Sequence, residues 1–112
     1  MSATERLLAA MNTHDADAFA ACVATDYDSA QPAHPARAFR GREQVRQNWT
    51  AVFAGVPDFR GELITLAASD GLEFAEWHWH GTHLDGSRFE MRGATVFGVV
   101  DGDVQWGRLY MA

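Results

Sequence analysis

The stretch Glu76-Trp77-His78-Trp79-His80-Gly81-Thr82-His83 gathers the residue types that move protons or hold metal ions. On a β-strand successive side chains point to opposite faces, so Glu76, His78 and His80 share one face and Trp77 and Trp79 the other. If the polar face looks into a cavity, Glu76 and His78 form a general acid/base pair with Cα atoms roughly 7 Å apart, close enough to share a water or a substrate group. A nearby carboxylate raises an imidazole pKa and burial lowers it. The opposite orientation is also open: the tryptophans form the core and the polar face is solvated. A tryptophan pair on the outer face would equally suit a dimer interface, where aromatic residues are enriched.

His78-x-His80, with His83 nearby, is also a metal-ligand pattern, because histidines two apart on a strand point the same way and imidazole suits zinc, iron or nickel. Glu76 and His80 lie roughly 13 Å apart along a strand, so they cannot both join His78 on one ion. Further ligands must come from elsewhere, with Glu90 and His34 available. The expectation is therefore no native metal and no cofactor. The chain contains no phosphate loop, no Ser-His-Asp signature and no dinucleotide fingerprint.

These residues need elements to position them. Residues 2–12 read as a helix, with Ser2 and Glu5 as a capping box and Leu7, Leu8 and Met11 on one face. Asp15 caps a second short helix whose apolar stripe is Phe19, Cys22 and Val23, and Thr25–Asp28 fits a short strand. Pro32 and Pro35 forbid a helix between Ser29 and Phe39, which reads as a loop. A third helix runs from about Arg42 to Ala54 with Val45, Trp49, Val52 and Phe53 facing a core, and Gly55 and Pro57 end it.

Four strands follow, Phe59–Ala68, Leu72–His83, Arg88–Val100 and Asp103–Met111, separated by Asp70-Gly71, Asp85-Gly86 and Asp101-Gly102. Two-residue turns at the last two sites would pair Met91 with His80, Gly93 with His78 and Thr95 with Arg108. Arg108 and Tyr110 then share the histidine face. A bulge in Arg92-Gly93-Ala94 would instead turn Leu109 and Met111 inward. Three helices and an antiparallel meander make an α+β domain whose sheet curls around the helices and leaves a concave, mostly apolar pocket.

At 112 residues and 12.4 kDa the chain is one domain, residues 1–112, with room for one core. Its net charge of −6, carried by 15 acids against 9 bases, argues against nucleic acid and anionic membranes as partners. Every base is arginine, so Schiff-base and lysine-base chemistry are excluded. The single cysteine, Cys22, excludes an internal disulfide and reads as a core residue. The first residues lack the apolar run of a signal peptide, which makes the cytoplasm the expected compartment.

Over nearly its whole length the chain resembles the SnoaL-like branch of the nuclear transport factor 2-like superfamily. The resemblance rests on Asn12-Thr13-His14-Asp15, Gly41-Arg42-Glu43-Gln44-Val45, Pro57-Asp58-Phe59, Glu76-Trp77 with Gly81-Thr82-His83, and Val96-Phe97 through Asp101-Gly102-Asp103-Val104 to Tyr110, in that order. It implies a conical barrel of curled, mostly antiparallel sheet wrapped around three helices, in the order α-α-β-α-β-β-β-β. It also implies a homodimer through the outer sheet face and a hydrophobic cavity, and it turns Glu76 and His78 inward.

Family sites transfer poorly. The Arg, Asp and Asp of limonene-epoxide-hydrolase-like members fall on Glu76, His78 and Leu109 by gapless counting. The general base of ketosteroid-isomerase-like members falls on Gln31, and the oxyanion-hole acid on Ala94 or Thr95. The usual terminal Tyr-x-Asp is Tyr110-Met111-Ala112.

The resemblance thus implies cofactor-independent acid/base chemistry, such as cyclisation, isomerisation or dehydration, on an apolar carbonyl compound. His78 would remove a proton and Glu76 would orient it or return the proton. The pocket is expected to be lined by Trp49, Phe53, His80, Met91, Met111, Tyr27 and Arg108. Two alternatives stand beside it: a non-catalytic protein that binds an apolar ligand or acts as a dimeric scaffold, and a metal-dependent enzyme using His78 and His80.

Overall fold

A computed structural model describes all residues, Met1–Ala112. Helices α1 (Ala3–Asn12) and α2 (Ala16–Ala21) precede strand β1 (Val23–Ala30). A 3-10 turn (Pro35–Arg37), a short strand β2 (Phe39–Arg40) and helix α3 (Arg42–Gly55) follow. Strands β3 (Arg60–Ser69), β4 (Leu72–Thr82), β5 (Arg88–Val100) and β6 (Asp103–Met111) complete the chain. The six strands form one curled sheet in the order β2-β1-β6-β5-β4-β3, antiparallel except where β1 runs parallel to β6. The fold is the expected α+β cone, with β2 added. No helix is long and apolar enough to cross a membrane.

Ser2 and Glu5 form the expected reciprocal capping box. The same helix end receives a second cap from the sheet. The buried Glu73 carboxylate on β4 accepts from the Ala3 and Thr4 amides at 3.2 and 2.8 Å and from the Thr4 hydroxyl at 2.6 Å. A carboxylate at a helix N-terminus satisfies orphan amides and complements the helix dipole.

Between α1 and α2, His14 takes a positive φ of 54° and its Nε2 lies 2.7 Å from the Phe59 carbonyl. Asn12 clamps the Gly61 backbone from both sides, donating to its carbonyl at 2.9 Å and accepting from its amide at 2.7 Å. Asp15 caps α2 as expected. Cys22 and Val23, read as helical, instead cap α2 and open β1, because the helix ends after six residues.

Turn chemistry sets the register. Asp70-Gly71 and Asp101-Gly102 both have positive φ at each position, 52° and 78° in the first and 52° and 84° in the second, the geometry of tight two-residue hairpins. The middle hairpin differs. The His83 amide donates to the Ser87 carbonyl, leaving a three-residue loop of Leu84, Asp85 and Gly86, with Gly86 at φ 87°. One extra loop residue shifts every partner by one. Met91 pairs with Trp79, Glu90 with His80 and Arg92 with His78.

A bulge also falls between β5 and β6, opposite Gly98 and Val99 rather than near Gly93, and Gln105 is the extra residue. Thr95 therefore pairs with Leu109 and not with Arg108, and Leu109 and Met111 turn inward.

The core is a single cluster containing Leu7, Met11, Phe19, Val23, Tyr27, Val45, Phe59, Trp77, Trp79, Phe97 and Val104. Replacing Glu73 by alanine should lower unfolding stability by about 2–3 kcal/mol, because three donors at the α1 terminus lose a charged acceptor. Thr4→Val should cost roughly half as much. Chemical denaturation of the two variants checks the ratio.

Candidate functional site

Alternation along β4 places Trp77 and Trp79 inward, where they are 2% and 8% exposed. Around them, residues of α1, α2, α3, β1 and the inner face of β4–β6 enclose a cavity of about 190 Å³. Trp49 and Val52 on α3 cover it, with Trp49 stacked on Phe19 at 4.3 Å and edge-on to Trp79 at 5.5 Å. Fourteen of its eighteen lining residues are hydrophobic, and the others are Ser29, Gln31, Asn48 and Thr95. The wall holds no carboxylate and no imidazole.

Tyr27 is the one titratable side chain on that wall. Burial pushes its hydroxyl pKa up, and the Ser29 hydroxyl beside it partly offsets the rise, so the phenol stays protonated and acts as a donor. Room for it comes from Gly107 on β6. A β-carbon there would stand 2.4 Å from the Tyr27 hydroxyl and 3.3 Å from the Phe97 ring. Two more donors belong to the wall. Thr95 accepts from Trp77 Nε1 at 2.9 Å, which leaves its own O–H free to donate. The Trp79 Nε1–H is buried with no partner, a state that costs about 1–3 kcal/mol.

The expected acid/base pair lies elsewhere. Glu76 is exposed on the outer face of β4 and accepts from its neighbour Thr65 at 2.9 Å. His78 and His80 share that face, so none of the three lines the cavity. Two tryptophans at about 150–250 Å² each and about 25 cal/mol per Å² outweigh the alternative, which would bury a carboxylate and imidazoles.

Trp49 and Tyr27 line the cavity. Phe53, Met91 and Met111 pack on or in the core but do not reach the cavity. Arg108 is on the outer side, over the Trp106 ring at 5.0 Å, because the Gln105 bulge reverses its direction. Of Ala94 and Thr95, Thr95 lines the cavity and Ala94 faces out. Gly107 carries no sequence signal beyond its place inside a strand. Ser29 could have been found from its spacing of two from Tyr27.

The outer face holds a separate polar cluster. His78, whose side chain is 12% exposed, places Nε2 2.7 Å from Glu90 Oε2 and Nδ1 3.4 Å from Glu62 Oε2. His80 Nε2 is 3.4 Å from Glu62 Oε1. Hydrogen bonds from the imidazoles hold both carboxyl pKa values down, His80 being the main cause for Glu62 and His78 for Glu90. Glu62 was missed in the sequence because only the β3–β4 pairing, Glu62 opposite His78, brings it there.

Residues 4–106 match the family model of the SnoaL-like domain, and the chain belongs to that family. Solved structures share the fold. A protein of ketosteroid isomerase-like fold from Catenulispora acidiphila, in complex with trimethylamine, superimposes with a TM-score of 0.84 at 16% identity, covering 96% of this chain and 83% of its own. A candidate SnoaL-like polyketide cyclase from Jannaschia sp. CCS1 gives 0.80 at 18%, covering 97% and 82%. An LEH-like epoxide hydrolase of M. tuberculosis gives 0.83 at 20%, covering 98% and 80%. No curated protein matches the chain in sequence.

The Gly107 contact is testable without a ligand. Gly107→Ala should destabilise by about 1–3 kcal/mol through overpacking. In a Tyr27→Phe background the cost should fall by at least about 0.5 kcal/mol, since the clashing oxygen is gone. A double-mutant cycle by urea denaturation reads the difference.

Proposed function

We propose that the protein binds a compact, largely apolar molecule carrying one oxygen function inside the cavity, with the Tyr27 hydroxyl as its polar anchor. The composition of the wall carries this reading: aromatic and aliphatic side chains with a few neutral donors and no ionised group. Pockets of this kind bind through apolar contact and take orientation from a small number of polar groups. A volume of about 190 Å³ is somewhat larger than the roughly 150 Å³ of an apolar cavity that accepts benzene, which suits one or two fused rings.

A catalytic form of the same reading uses Tyr27 differently. A buried neutral phenol donates to a carbonyl oxygen and stabilises the negative charge that develops there during enolisation, cyclisation or dehydration. The proton would have to pass to water or to a group of the substrate itself, because the wall supplies no base. Acid/base work by Glu76 and His78 does not belong to this reading, since both face away from the cavity.

Titration with 1-indanone and with indane, followed by tryptophan fluorescence, separates anchor from wall. The ketone should bind more tightly, and Tyr27→Phe should weaken it about tenfold, about 1.4 kcal/mol, while leaving indane unchanged. Because the Tyr27 pKa is raised above its ordinary value near 10, ketone affinity should stay level from about pH 6 to 9 and fall only beyond it. Absence of binding by both compounds, or equal losses for both in Tyr27→Phe, overturns the proposal.

A further inference from the structure

On the outer sheet face, away from the cavity, we propose that Glu62, His78 and His80 form a binding site for a divalent transition-metal ion of the zinc class. One donor atom from each residue lies within 4.8 Å of the other two. Two of the separations are already those of a coordination shell. Ligands bound at roughly 2.0–2.1 Å in a tetrahedron stand about 3.4 Å apart, and each imidazole has its own Glu62 oxygen at that separation, His78 Nδ1 3.4 Å from Oε2 and His80 Nε2 3.4 Å from Oε1. The three donors must still draw together onto one ion, which side-chain rotation allows because the imidazole ring centroids are 4.8 Å apart on neighbouring positions of one strand face. Two histidines and one carboxylate, with water completing the shell, make a standard donor set for such ions.

Glu90 makes the cluster more than a chance grouping. It meets His78 through Nε2 at 2.7 Å, the nitrogen not turned to Glu62. A carboxylate on the far nitrogen fixes the tautomer, so that the Nδ1 lone pair faces the ion. Glu90 is also within 3.5 Å of Arg88 and 3.7 Å of Arg92. Those guanidiniums neutralise it and keep it in the outer shell, while Glu62 has only imidazoles as partners. Glu62 reaches the site through the register that pairs it with His78.

Isothermal titration of untagged protein with zinc sulfate at neutral pH tests the site. One zinc per chain is expected. His78→Ala, His80→Ala and Glu62→Gln should each weaken binding at least tenfold, and Glu90→Gln should weaken it by about tenfold through the outer shell. Affinity should rise with pH across the imidazole range, because protons compete with the metal. Tyr27→Phe should leave zinc binding unchanged, and far-UV circular dichroism checks that each variant is folded. No zinc uptake by the untagged protein overturns the proposal. Uptake equal to wild type in the His78→Ala/His80→Ala double variant also overturns it.

Discussion

Strand β4 carries tryptophan on one face and glutamate and histidine on the other, and the decision of which face is buried governs most of the molecule. Sending Trp77 and Trp79 inward removes the largest apolar side chains of the sheet from water. Trp49 and Phe59 then pack edge-on or tilted against Trp79, and α3 is held over the sheet by that aromatic group. Once the tryptophans are inside, neighbouring strands must match. Thr95 supplies the acceptor for the Trp77 N–H, and Met91 joins Trp79 on the inner side. The cavity wall is neutral as a direct result.

The exposed face inherits everything the interior rejects. Glu62, His78, His80 and Glu90 collect there because three adjacent strands place them side by side. The two faces thus have independent chemistries separated by one layer of backbone. Hydroxyl donors and rings surround the cavity, and apart from the buried Glu73 that caps α1 the carboxylates of β3–β5 lie on the outer face with imidazoles and guanidiniums. A change at Tyr27 and a change at His78 act on different surfaces, so each can serve as the control for the other.

Much of this architecture is legible in the sequence, because it rests on local signals. The Ser2–Glu5 box, the Asp15 cap, the Gly55 and Pro57 stop of α3 and the Asp-Gly turns place nearly every element within a residue or two. Several residues of the motifs that carry the family resemblance hold the fold together. Asn12 clamps Gly61, Arg42 donates to the Val23 carbonyl at 3.0 and 2.7 Å, and Asp58 accepts from the Thr82 amide at 2.6 Å. What alternation does not reveal is the sign of a face. Gapless matching to relatives put Glu76 and His78 inside, whereas the burial energy of two tryptophans favours the reverse. The His83–Ser87 loop and the Gln105 bulge are single-residue effects that leave no periodic trace, and each reverses or shifts a whole strand.

The Gln105 bulge also bears on how such a cavity changes over evolutionary time. Beyond it, β6 shows Gly107, Leu109 and Met111 to the interior and Arg108 and Tyr110 to the outside. Drawing Gln105 into the ladder would shift every partner beyond it by one, set Arg108 opposite Thr95 and exchange those two sets at once. A guanidinium and a phenol would then enter a wall that now holds only neutral groups. Within this fold, a change of register at a strand bulge is a short path between a pocket that only holds a molecule and one equipped to act on it.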